Sequence, residues 1–136
     1  MKKPRAVVIH ELAHARAALA AAVELGVPVE LWSAPGAAAY AGAGWFDAVM
    51  RAAGNKTPSA VFIGVLDCDD RADLCQGALR QGLKHVCFCG SRAVAARLAD
   101  IAHQWGATLH RRRPCALDLC DRADAESACR AWLGGE

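Results

Sequence analysis

Residues 60–66, Ala-Val-Phe-Ile-Gly-Val-Leu, carry no charge and no polar alternation, and they end abruptly in Asp67-Cys68-Asp69-Asp70. An unbroken apolar, partly β-branched run of this length suits a strand covered on both faces, as in the interior of a parallel sheet. The acids then mark its carboxyl end. In open α/β sheets ligands gather just beyond that end, so the residues after Leu66 fall where chemistry is expected.

The rest of the chain repeats the theme. Residues 6–10, 27–32, 85–89 and 107–111 read as further strands. Helices are expected over 11–25, 45–53, from Asp69 or Asp70 to Gln81, over 92–105 and over 122–133. Residues 114–119 are ambiguous. Three helix ends share one phrase, an apolar turn followed by glycine and then a strand, at Leu25-Gly26-Val27, Gln81-Gly82-Leu83 and Trp105-Gly106-Ala107. Glycine tolerates the left-handed backbone that turns a helix sharply back into a sheet.

Alternation of strand and helix with short connections implies a parallel sheet and right-handed crossovers. Five such units predict a three-layer αβα domain of flavodoxin-like strand order 2-1-3-4-5, spanning residues 1–136 as one unit. That order sets strands one and three side by side. His10 would then stand beside Asp67, with Ser33, Gly36, Gly90 and Ser91 on the same edge.

Composition bounds the partners. Sixteen basic and 14 acidic side chains leave a net charge of +2, too near balance for nucleic acid or an anionic membrane. Arg111-Arg112-Arg113 reads as a solvated strand exit. The charged start Met1-Lys2-Lys3 precedes too short an apolar stretch for a signal peptide, and no segment reaches the length of a bilayer span. A soluble cytoplasmic protein is the expectation. Its seven cysteines are odd in number and lie mostly in helix-like or strand-like runs, so reduced thiols are expected, with Cys87 and Cys89 buried on one strand face; no Cys-x-x-Cys pair signals a zinc ribbon or a thioredoxin-type site.

Three motifs bear on chemistry. His10-Glu11-Leu12-Ala13-His14 resembles the signature of zinc metalloproteases, which implies two histidines on one helical face and a glutamate polarising a zinc-bound water. Here an apolar strand precedes it, Arg16 follows, and Ala17 and Ala20 stand where metzincins carry a glycine and a third histidine. Asp67-Cys68-Asp69 after its strand resembles the phosphatase motif of the haloacid dehalogenase family, which implies Asp67 as nucleophile and Asp69 as general acid. The same strand end is similar to the phosphoacceptor site of response-regulator receivers. Both families need a lysine that this chain lacks beyond Lys84, and capping of the next helix by Asp69 or Asp70 accounts for the acids.

The function these residues support is binding of a small anionic ligand, or of a protein partner, at the carboxyl edge of the sheet. Ser33, Gly36, Asp67, Asp69, Gly90 and Ser91 are the expected ligand contacts; no metal ligand set and no cofactor is assigned. An enzyme on this plan would be a small lyase, isomerase or hydrolase with Asp67 or His10 as acid or base. A zinc-dependent hydrolase through His10-Glu11-x-x-His14 is a further alternative. A homodimer would use the Tyr40, Trp45 and Phe46 segment.

Overall fold

The structure, a computed structural model, describes residues 3–135. Met1 and Lys2, on which part of the signal-peptide expectation rests, lie outside them. In chain order the elements are β1 (Arg5–Val8), α1 (Leu12–Leu25), β2 (Val29–Trp32), α2 (Ala37–Tyr40), α3 (Ala43–Lys56), β3 (Phe62–Asp67), α4 (Ala72–Arg80), β4 (His85–Cys87), α5 (Arg92–Gln104), β5 (Thr108–His110), β6 (Ala116–Asp118) and α6 (Ala125–Gly134). The α/β class and the parallel sheet are as expected.

Strand number and order are not. The sheet has six strands in the order β5-β4-β3-β2-β1-β6, against the expected five in the order 2-1-3-4-5. β1 pairs in parallel with β2 and with β6, and β4 with β3 and with β5. β2 therefore separates β1 from β3, and the reversal of winding falls between β1 and β6. The physical reason is that an apolar run specifies a covered strand but not its neighbours. β6, at three residues, is also too short to carry a period.

The chain divides into two compact units. One holds β1, α1, β2, the greater part of α3, β6 and α6. Its core includes Val7, Ile9, Ala15, Ala18, Leu19, Leu31, Trp32, Leu119, Cys129 and Leu133. α1 packs on α6, and the run of alanines on α1 permits that close approach. Gly26, with φ +67°, lets the Val27 amide bond back to Ala22 O at 3.0 Å and swings the chain into β2. The end of α6 is tied to β1: Trp132 Nε1 donates to Ala6 O at 2.9 Å, Arg5 donates to Gly135 O at 2.9 Å, and its guanidinium lies 4.9 Å from the Trp132 ring centre.

The second unit holds α2, the start of α3, β3 from Gly64, α4, β4, α5 and β5 with its exit through Arg113. Val65, Leu66, Cys68, Cys75, Leu79, Val86, Phe88, Ala95 and Leu98 form its core. Ser91 caps α5, its Oγ accepting from Val94 N at 3.3 Å. α4 is different. Its N-cap is Arg71 and makes no side-chain cap bond, so neither Asp69 nor Asp70 is the expected cap. Phe46, expected on a dimer face, is buried in the core, whereas Tyr40 is 70% exposed. Among the described residues no helix is long and apolar enough to cross a membrane.

Candidate functional site

The carboxyl ends of the strands carry polar residues in both units, and each unit uses them differently. In the second unit they cluster on Asp67. An apolar strand leaves its last residue at the sheet rim, and this carboxylate is buried there with 7% of its side chain exposed. Oδ1 accepts from Asp69 N at 2.7 Å and Gly36 N at 3.2 Å, while Oδ2 accepts from Arg113 Nη1 at 2.8 Å. The Asp67 amide in turn donates to Ser33 Oγ at 2.9 Å, and that hydroxyl donates to Ala34 O. Charge-assisted bonds of this kind compensate the desolvation of a buried carboxylate.

The structure therefore brings together four of the expected site residues, Ser33, Gly36, Asp67 and Asp69, and joins them to one another. Asp69 takes the left-handed backbone, φ +54°, which aspartate tolerates because its short side chain can bond locally. Its Oδ1 accepts from Cys89 Sγ at 3.3 Å, and its carbonyl from Cys89 N at 2.9 Å. The thiol-to-carboxylate bond with Asp69 raises the Cys89 pKa above its ordinary value, with burial contributing less. Cys89 is exposed, beyond the end of β4, whereas Cys87 is buried; the expected pair on one buried face is not formed. Burial pushes the Cys87 thiol up to about 12, and the charge of Asp67 adds to this.

Gly90 and Ser91 sit at the exit of β4. Arg111 clamps this turn by donating to Phe88 O at 2.7 Å and Gly90 O at 2.9 Å. The arginine run is thus not simply a solvated exit. Arg111 and Arg113 hold the backbone and the buried carboxylate, and Arg112 is exposed.

His10 belongs to the first unit and has another partner. Its Nε2 lies 2.6 Å from Asp118 Oδ1, at the carboxyl ends of β1 and β6 where the winding reverses. The same carboxylate oxygen accepts from Cys120 N at 2.8 Å. The expected pairing of His10 with Asp67 rested on adjacency of β1 and β3, which the strand order removes. Sequence reasoning missed Asp118 and Arg113. The signal for Asp118 was an acid directly after Ala116-Leu117, the same apolar-then-acid pattern that marked Asp67.

The His-Glu-x-x-His residues do not make the zinc face that the resemblance implies. Glu11 is the N-cap, with φ −156° and ψ 167°, so His10 precedes the helix and only His14 lies on it. His14 Nδ1 accepts the His10 amide at 3.1 Å. In a neutral imidazole that puts the proton on Nε2, the nitrogen a zinc ion would need. Among the described residues no group of three or more His, Cys, Asp or Glu is placed to hold a metal ion. Replacing His14 by Gln is accordingly expected to leave the zinc retained after dialysis unchanged, measured by atomic absorption; loss of one equivalent would contradict this.

Fold and rim together define the class: an α/β protein with a parallel sheet and polar side chains at the carboxyl ends of its strands. A crystal structure from Coccidioides immitis described as that of a "putative fructose-1,6-biphosphate aldolase" is similar, with a TM-score of 0.62 and 15% identity over 78% of this chain. This chain spans 44% of that protein's length, and at such identity the likeness concerns the fold alone. No protein-family model and no curated protein sequence matches the chain.

Proposed function

We propose that the chain is a small-molecule enzyme of the lyase or isomerase type, in which His10, held by Asp118, moves a proton at carbon on a small anionic substrate. The observation that carries this is the 2.6 Å contact between His10 Nε2 and Asp118 Oδ1 at the reversal of winding between β1 and β6. A crevice at such a reversal is where open α/β sheets take their ligands.

A carboxylate accepts only, so the proton of this contact belongs to Nε2. Nδ1 then carries the lone pair of the neutral ring. An imidazole fixed in one tautomer by a carboxylate is suited to taking a proton and returning it. Cys120 N holds Asp118 in place for that role. The imidazole is reachable, since 29% of the His10 side chain is exposed. α1 begins two residues later, its N-cap side chain making no bond to the first turn, and the positive end of a fourteen-residue helix favours a carboxylate or phosphate there. Asp67 has both oxygens engaged by partners of its own unit, which favours His10 over Asp67 as the acid or base.

The test is deuterium uptake from D2O into the carbonyl-adjacent positions of a mixture of small oxo acids, followed by proton NMR. Exchange above the buffer rate is expected, with His10→Gln removing the excess and Asp118→Asn lowering it by about 10²-fold or more. Exchange at the buffer rate, or equal exchange in His10→Gln, would refute the assignment.

A further inference from the structure

α1 is apolar on more than the face it buries. Ala15, Ala18, Leu19 and Ala22 are in the core, whereas Ala13, Arg16, Ala17 and Ala20 share another face at helical spacing and keep some exposure. An outer helix face is ordinarily polar, and Arg16 is the one charged residue of this set. Along it, within the first unit, runs an open trench of about 410 Å³. Leu12, Ala13, Arg16, Ala17 and Ala20 line it, joined by Lys56 from the last turn of α3 and Glu126 from the first turn of α6.

Shape and charge together restrict what can lie there. The volume falls within the range of small-molecule sites, about 300–1,000 Å³. Leu12 and Ala20 stand eight residues apart, so the trench extends about 12 Å along the helix axis. A lining of alanine methyls is smooth and offers no deep recess for a ring, but an unbranched chain can lie along it. The charges are unequal. Glu126 Oε1 lies 3.2 Å from Arg130 Nη1 on its own helix, which neutralises it in place. Arg16 and Lys56 are exposed and meet no acid among the described residues. The trench thus sets two cations beside an apolar wall, and an occupant that satisfies both must carry an anionic head on an apolar body.

From this complementarity we propose that the trench binds an unbranched fatty acid of medium chain length, its carboxylate held by Arg16 and Lys56 and its chain laid against Leu12 and the alanines. The guanidinium offers a planar pair of donors that matches a carboxylate, and the ammonium adds a second charge-assisted bond. The methylene stems of the two basic side chains add apolar surface to the wall. The site shares no residue with the His10–Asp118 pair, so either reading stands or falls without the other.

The test is titration of the full chain with sodium decanoate at neutral pH, below the concentration at which it forms micelles, followed by proton–nitrogen NMR. Saturable shifts are expected for the amides of residues 12–20, 56 and 126. Decanol, with the same chain and no charge, should bind at least tenfold more weakly, and octanoate at least about threefold more weakly because two methylenes fewer are buried. The double variant Arg16→Gln, Lys56→Gln should weaken decanoate at least tenfold, while Arg97→Gln on α5 leaves it unchanged. Ala17→Leu, which fills the trench from an exposed face, should abolish binding. Equal affinity for decanol overturns the proposal, as does unchanged affinity in the double variant. So does absence of saturable shifts below about 1 mM. The wild-type map decides the matter even where a variant misfolds: saturable shifts centred away from α1 would refute the site.

Discussion

Asp67→Ala should lower folding stability by about 3–5 kcal/mol, because it leaves Arg113 without the carboxylate that it meets below the surface. The same change strips the Gly36 and Asp69 amides of their acceptor, so the loop after β2 and the turn after β3 lose their common anchor. Asp67→Asn should cost less. It retains a carbonyl oxygen for those amides and removes only the charge, and Arg113, with 25% of its side chain exposed, recovers some solvation. Urea unfolding with unchanged slope, read as a shift in midpoint, measures both. The double variant Asp67→Asn, Arg113→Met should be less unstable than the sum of its parts, since neither charge is then buried alone. A cost below about 1 kcal/mol for Asp67→Ala would mean that the ion pair does not organise this rim.

Phe88→Ala carries an effect of similar size, again about 3–5 kcal/mol, through loss of a side chain that is 1% exposed. Its ring lies under the Arg111 guanidinium and against the Gly90 Cα. A Cβ on Gly90 would stand 2.9 Å from Phe88 Cε2 and closer still to Cζ, so Gly90→Ala should cost about 1–3 kcal/mol by forcing the buried ring aside. In the Phe88→Ala background that added cost should vanish, because the ring that the new methyl would strike is gone. Thermal or urea unfolding of the four-member cycle gives the coupling directly. Additive costs would show that Gly90 is required for its backbone and not for the space beside Phe88. The result bears on function, since Gly90 begins the turn that Arg111 clamps.

Much of the local structure was legible in the residues. The apolar run to Leu66 gave the strand and located the acid at its end. The helix expected over 11–25 matches α1 within a residue, and Gly26, Gly82 and Gly106 all take positive φ at the returns into the sheet. Ser91 caps α5 as its type and position suggest. Asp69 shows where such reasoning failed. An acid before a helix is a favourable cap in general, but here the Asp67 carboxylate captured its amide and turned its backbone left-handed.

By itself, then, the chain determined most of the longer helices and strands and that an acid stands at the end of β3, while α2 and the three-residue β6 went unread. Those properties come from side chains near one another in sequence. Tertiary structure alone decided the neighbours: β6 beside β1, Asp118 against His10 across 108 residues, Arg113 against Asp67 across 46, and His110 against His85 across 25. Periodicity records which face of an element avoids water. It holds no record of which rim an element will share, because that depends on strand order and register, and these arise only when the apolar faces pack together.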